Sequence, residues 1–292
     1  MKKIFYNLSV ILLFGLALIT IYVLLFTADK KYGNGQTETN LPLIVYGKKY
    51  DFVFLGSSHA RIFSRFDSHK KVESTLHRTF INLSQGGNKE SLKNQMTYLR
   101  YFYQRGNTNK LTVYFLDPFI FYRKELLSRP DVFDNEPFRL DFLYTLLTRG
   151  DYNWETISSY VLAVNHGKVQ APTQIKQGTV SAQLISTRMK NLYLDPIDTK
   201  DLQYLTEIGE LSQNHGVKVI VIIPPTLFPR HKQAEVVKKE LIKLQKTARF
   251  TLYDFSEVMK NPKYFSDTDH LNGVGIQHFI QRYFRPILAT QN

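Results

Sequence analysis

Short apolar runs alternate with amphipathic stretches along most of this chain. Phe52–Leu55 is continuously apolar, as expected of a strand covered on both faces. Thr79–Leu83, Leu111–Leu116, Val217–Ile223 and Phe250–Tyr253 repeat the pattern, and Pro224-Pro225 closes the fourth run. Between these runs the period changes. Glu90–Gln104 carries Leu92, Met96, Leu99 and Phe102 at helical spacing. Asp198–Asn214 begins at an aspartate cap and ends in His215-Gly216. Arg230–Thr247 sets Val237, Leu241 and Leu244 inward and lysines outward, and Val274–Leu288 closes the chain. Strands alternating with helices predict an α/β protein: a doubly wound parallel sheet of about five strands with helices on both faces, in three layers.

Two stretches break the rhythm. From residue 118 to about 196 no strong buried strand is expected, yet the segment is rich in aromatics and holds the only tryptophan, Trp154. Asp131–Thr148 and Asn153–Asn165 read as helices, so the segment is expected to be a helical insertion, a cap over the domain or a surface for a partner or acceptor. The other stretch is N-terminal. Ile4–Phe26 is uncharged and apolar apart from Asn7, Ser9 and Thr20, long enough as a helix to cross a hydrocarbon core of roughly 30 Å. Lys2 and Lys3 precede it, which favours a cytoplasmic N-terminus and an extracytoplasmic remainder. Phe26-Thr27-Ala28 puts a bulky residue where a signal-peptide cleavage site needs a small one, so the segment is expected to stay as an anchor. Asp29–Asn40, polar and interrupted by Gly33 and Gly35, reads as a tether. The organisation expected is an anchor over residues 1–28, a tether over 29–42 and an α/β domain over 43–292.

Composition narrows the function classes. The absence of cysteine excludes a disulfide framework, cysteine-ligated zinc and thiol catalysis. The net charge of +13 favours anionic surroundings, which for an extracytoplasmic domain are lipid headgroups or an acidic wall polymer. The basic residues are scattered without aromatic interleaving, so no nucleic-acid partner is expected. The histidines, including His59, His166, His215 and His278, lack metal-ligand spacing, and neither a metal nor another cofactor is expected.

Ligands of an open parallel sheet bind just beyond the carboxyl ends of its strands. On that edge this chain places Gly56-Ser57-Ser58-His59 after the first expected strand, Ser84-Gln85-Gly86-Gly87-Asn88 after the second and Asp117-Pro118 after the third. Pro224-Pro225-Thr226 follows the fourth, and Asp267-Thr268-Asp269-His270 lies beyond the fifth. Each cluster has an ordinary explanation by itself: a capped turn, a strand-to-helix bend, a polar loop. Together they supply a hydroxyl, an imidazole and a carboxylate spaced to orient it, the parts that make a serine nucleophilic. Gly86 and Gly87 would let backbone amides approach an oxyanion.

These residues resemble the SGNH (GDSL-like) hydrolase superfamily. Its first block is Gly-Asp-Ser, matched here by Gly56-Ser57-Ser58 with Ser57 in place of aspartate. Its last block, Asp-x-x-His before a final helix, is matched by Asp267–His270 followed by Leu271-Asn272. Asn82–Gly87 is similar to the second block. The third block, Gly-x-Asn-Asp, has no counterpart: Phe115-Leu116-Asp117-Pro118-Phe119 lacks its asparagine. With the expected N-terminal anchor, the chain is similar to the membrane-anchored, DltD-like branch. That branch acts on D-alanyl or acetyl-type esters of cell-envelope polymers, often beside a membrane-bound O-acyltransferase.

The resemblance implies a flavodoxin-like arrangement and a set of roles. Ser58 would be the nucleophile, with Ser57 the less favoured candidate. His270 would be the base and Asp267 its orienting acid, with Asp269 the local competitor. The amides of Ser58 and Gly86 would hold the oxyanion, with Gly87 or Asn88 as further donors. The function implied is a membrane-anchored serine esterase or O-acyltransferase acting on an acyl ester of an envelope glycopolymer. The alternative is a non-catalytic scaffold of the same fold that binds polymer beside an acyltransferase, which the missing asparagine favours.

Overall fold

A computed structural model describes residues 2–26, 39–65, 67–86, 91–121, 129–149, 151–162, 180–190, 201–229 and 232–291. The chain divides into two compact units, Met1–Lys31 with Pro130–Val169, and Tyr32–Arg129 with Gln170–Asn292.

The second unit holds five parallel strands: β1 (Lys49–Gly56), β2 (Phe80–Asn82), β3 (Thr108–Phe115), β4 (Lys218–Ile223) and β5 (Phe250–Asp254), in the order β2-β1-β3-β4-β5. All five expected strands form: β1 to β4 bury their apolar runs, whereas β5, at the sheet edge, is buried only at Phe250. Phe52, Phe54, Leu111, Val113, Phe115, Ile220 and Ile222 share one packed cluster with residues of the helices that cover that face. Those helices follow α1 (Lys2–Phe26) of the other unit in chain order: α2 (Ser58–Arg61) and α3 (Ser68–Leu76) here, with the C-terminal helices described below. Phe54 alone touches the rings of Phe63, Phe80, Phe115 and Phe284. Fully burying such a ring contributes roughly 1.5–3 kcal/mol.

The opposite face carries α4 (Leu92–Gln104). Ser91 caps it by accepting from the Asn94 amide. The strand order reverses between β1 and β3, which places a crevice beyond their carboxyl ends. Gly56 and Phe115 stand in register there, so residues 57–59 and 116–117 leave the sheet side by side.

In the first unit, α5 (Leu140–Arg149) and α6 (Trp154–Leu162) follow a run of turns. Helix was expected from Asp131 but starts only at Leu140. Pro137 explains the delay, since the residue before a proline is driven out of the helical region. Phe133, Phe138, Phe142 and Tyr160 form a small aromatic core, and the Tyr160 hydroxyl accepts from the Arg139 amide at 2.8 Å and donates to the Pro137 carbonyl at 3.1 Å. Among the described residues between 118 and 196 the secondary structure is helical, turn or irregular.

In the same unit α1 runs through the apolar N-terminal segment, and its described side chains from Phe5 to Ile19 are almost all exposed. Among the described residues no helix is long and apolar enough to cross a membrane.

The second unit continues with α7 (Ala182–Lys190), α8 (Leu202–Asn214), α9 (Lys232–Leu244) and α10 (Gly273–Phe279). A π-helical stretch, Ile280–Phe284, leads into α11 (Arg285–Thr290). Pro286, without an N–H, cannot bond the Arg282 carbonyl, and the helix widens just where that bond is missing. The aspartate cap expected at Asp198 lies outside the described residues; α8 starts at Leu202, and Asp201 at its cap position makes no side-chain cap bond. Part of the expected tether, residues 29–38, also lies outside them. Thr39, Asn40, Leu41 and Pro42 are buried.

Candidate active site

The site grows from the turn after β1. Gly56 has φ +125°, and a Cβ there would stand 2.2 Å from the Phe115 carbonyl oxygen, so only glycine fits. The chain then enters α2. Ser57 is its N-cap: its Oγ accepts from the His59 amide at 3.3 Å and lies 3.0 Å from His59 Nδ1, and the residue is buried. Ser58, one residue on, is half-buried, and its Oγ lies 2.7 Å from His270 Nε2. The two serines, open alternatives in the sequence, therefore occupy different environments.

The imidazole comes from the loop between Phe265 and Leu271, which pair as an antiparallel bridge. The Ser266 amide and hydroxyl both donate to the His270 carbonyl. Asn272 caps α10 by accepting from the Gly275 amide at 2.9 Å, and its Nδ2 donates to the Lys263 and Phe265 carbonyls. His270 Nδ1 lies 3.0 Å from each Asp267 carboxylate oxygen. Asp267 Oδ1 also accepts from the amides of Asp269 and His270. The three-residue spacing thus brings Asp267, His270 and Ser58 into one chain of hydrogen bonds.

Asp269 does not point away. Its Oδ1 lies 3.3 Å from His270 Nδ1, because residues 266–269 form a succession of bends rather than a strand. Burial by itself would lower the His270 pKa, but hydrogen bonds to Asp267 and Asp269 outweigh it and push it up to about 10. Burial would raise Asp267, yet the His270 ring and neighbouring amides hold its carboxyl well below the usual range. The result is a strong ion pair with its nitrogen face on carboxylates and its other nitrogen on a hydroxyl. Asp267, Asp269 and His270 bring ligand atoms within 4.8 Å of one another, and the hydrogen bonds already described account for that closeness.

Gly86 sits against the same turn: a Cβ there would lie 3.4 Å from Ser58 Cβ. The chain is led to it by Gln85, whose amide donates to the Gly56 carbonyl at 2.9 Å. Gly87 and Asn88 lie outside the described residues. At the end of β3, the place of the absent asparagine, Asp117 is buried; its Oδ1 accepts from the Phe119 amide at 3.0 Å and its Oδ2 lies 3.4 Å from His59 Nδ1. Burial pushes the Asp117 carboxyl up, partly offset by the His59 ring.

Sequence reasoning missed His59 as a site residue. Its ring is stacked on that of His270, centroids 4.7 Å apart and 9° from parallel. The available signal was its place beside Ser58 in the first turn of a helix at the strand edge. A cavity of about 50 Å³ adjoins, lined among others by His59, Asp117, Asp269, Phe119 and Phe228.

An open parallel sheet with a serine, histidine and aspartate hydrogen-bonded at its switch point defines a class of architecture suited to acyl transfer. No family model and no curated protein matches the chain. Among solved structures, a GDSL-like lipase from Bacteroides thetaiotaomicron aligns over 83% of this chain and 89% of that one, with a TM-score of 0.40 and 12% identity. That likeness is too distant to argue from, and the strand order and the site distances stand without it.

Proposed function

We propose that this protein is a serine esterase or acyltransferase of the SGNH type. The observation that carries the reading is the 2.7 Å contact between Ser58 Oγ and His270 Nε2, with Asp267 on the far nitrogen. In the productive tautomer His270 Nδ1–H donates to Asp267 and the Nε2 lone pair accepts the Ser58 proton. Ser58 Oγ attacks an ester carbonyl, its proton passes to His270, and the departing alcohol takes that proton as the acyl-serine forms. Water or a sugar hydroxyl then gives a proton to His270 and attacks the acyl-serine, regenerating Ser58. The amides of Ser58 and Gly86 are the proposed donors to the oxyanion; their proximity supports that role.

The anchor, the envelope polymer and an acyltransferase neighbour belong to the same proposal. The uncharged apolar segment Ile4–Phe26 supports the anchor and the net charge of +13 an anionic polymer, while the acyltransferase neighbour follows from the sequence resemblance alone. The non-catalytic reading is favoured by one observation, a buried carboxylate, Asp117, where an oxyanion-binding asparagine would stand. Ser58→Ala separates the two. We expect it to abolish labelling by a fluorophosphonate and to cut turnover of a chromogenic acetyl ester by at least about 10³-fold. Labelling that survives the substitution refutes the nucleophile, and a wild-type chain that neither labels nor turns over ester supports the scaffold.

A further inference from the structure

His270 carries one more carboxylate than a serine–histidine–aspartate relay needs. Asp267 fills the orienting role with both oxygens at 3.0 Å, and Asp269 Oδ1 stands 3.3 Å from the same nitrogen. Two anions on one imidazole favour the imidazolium, and an imidazolium cannot take the Ser58 proton. The other Asp269 oxygen, Oδ2, lies 3.8 Å from His59 Nε2. His59 is fixed from its other side by Ser57 Oγ at 3.0 Å and Asp117 Oδ2 at 3.4 Å, and it is held flat against the His270 ring. One carboxylate is therefore shared between two parallel imidazoles.

We propose that His59 is a positioning residue for His270: by competing for Asp269 it weakens that carboxylate's hold on the His270 proton, and so lowers the pH above which Ser58 can be activated. The inference rests on the esterase reading and deepens it. Among the described residues, the charged groups facing this pair are Asp117 beyond β3 and Asp267 and Asp269 in the loop beyond β5. Across the adjoining cavity stand Glu235 and Lys238 of α9, with Asp254 and Glu257 after β5. Lys238 is paired with Asp254 at 2.5 Å and Glu257 with Lys260 at 3.0 Å; the Asp117 charge acts on both rings, but Asp269 is the carboxylate within 4 Å of each.

The test is the titration of the His270 ring, read by NMR on the ¹⁵N-histidine-labelled full chain in detergent, beside the pH profile of fluorophosphonate labelling. His59→Gln is expected to raise the His270 midpoint, and with it the labelling profile, by about one unit or more. Asp269→Asn is expected to lower both. In the Asp269→Asn background, His59→Gln should move the midpoint by less than half as much, as coupling through a shared partner requires. A loss of labelling at every pH with an unmoved midpoint would give His59 a merely structural role and overturn the inference. An equal shift in both backgrounds would overturn the route through Asp269. If His59→Gln does not fold, Asp269→Asn decides alone, and an unmoved midpoint there sinks the idea. A wild type that titrates as expected but does not label would count against the esterase reading and leave the histidine coupling intact.

Discussion

Gly56 leaves no room for a side chain. Alanine there would combine a φ of +125° with a Cβ driven into the Phe115 carbonyl. Backbone strain of this kind costs about 1–3 kcal/mol before the clash is counted, so Gly56→Ala should lower the denaturant midpoint by the equivalent of more than ~3 kcal/mol. A smaller loss would mean that the turn can move away from β3. Asp267 and Asp269 are also separable. Asp267 meets Nδ1 with both oxygens and accepts two amides, so Asp267→Asn should cost about 10³–10⁴-fold in labelling rate and Asp269→Asn far less. The raised pKa of His270 adds a direction with pH. A base held protonated at neutrality is freed as the pH rises, so Ser58 reactivity should climb on the alkaline side of neutrality and fall in acid. A labelling rate flat from pH 6 to pH 10 would contradict this. Ser58, Asp267 and His270 were legible in the sequence because each pattern is local: a hydroxyl at a strand end, an acid three residues before a ring. His59 was not, since its role depends on a stacking that only the packed loop creates, and Asp269, legible as a competitor of Asp267, reaches His270 alongside it through a bend that the sequence does not announce.

Elements were legible according to how much of their signal lay in burial. The five strands could be read because runs such as Val217–Ile223 have no other place than a covered sheet. Helix starts were less so. Pro137 shifts α5, and α8 begins at Leu202, four residues after a promising Asp198. At the other end of the sheet's sequence, α10 depends on one cap. Asn272 serves it and also donates to the carbonyls of Lys263 and Phe265, at the N-terminal end of the His270 loop. Asn272→Ala should therefore cost about 1–2 kcal/mol of stability, seen in thermal melting, and should lower the labelling rate as well. A stability loss with unchanged labelling would show that the loop holds its shape without the cap.

At the level of the whole molecule, a chain this basic can reach a membrane in two ways, by charge or by insertion. Charge alone is screened within roughly 10 Å at 0.1 M salt and weakens further above it. If Ile4–Phe26 is an anchor, the full chain should sediment with membranes after a high-salt wash and leave them only in detergent. Release by salt would remove the anchor from the proposal.

Arg61 lies three residues beyond Ser58 in the same short helix and is fully buried. Its guanidinium donates to the side chain of Asn40, the carbonyl of Thr39 and the carbonyl of Asn82, while the Asn40 amide reaches back to Leu83 and Ser84. The first described residues of this unit, Thr39 and Asn40, thus belong to the hydrogen-bonded knot around the helix that carries Ser58. Trimming the N-terminus past Asn40 would strip acceptors from that buried arginine and loosen the footing of Ser58, so a shortened version should lose both melting temperature and reactivity toward a fluorophosphonate.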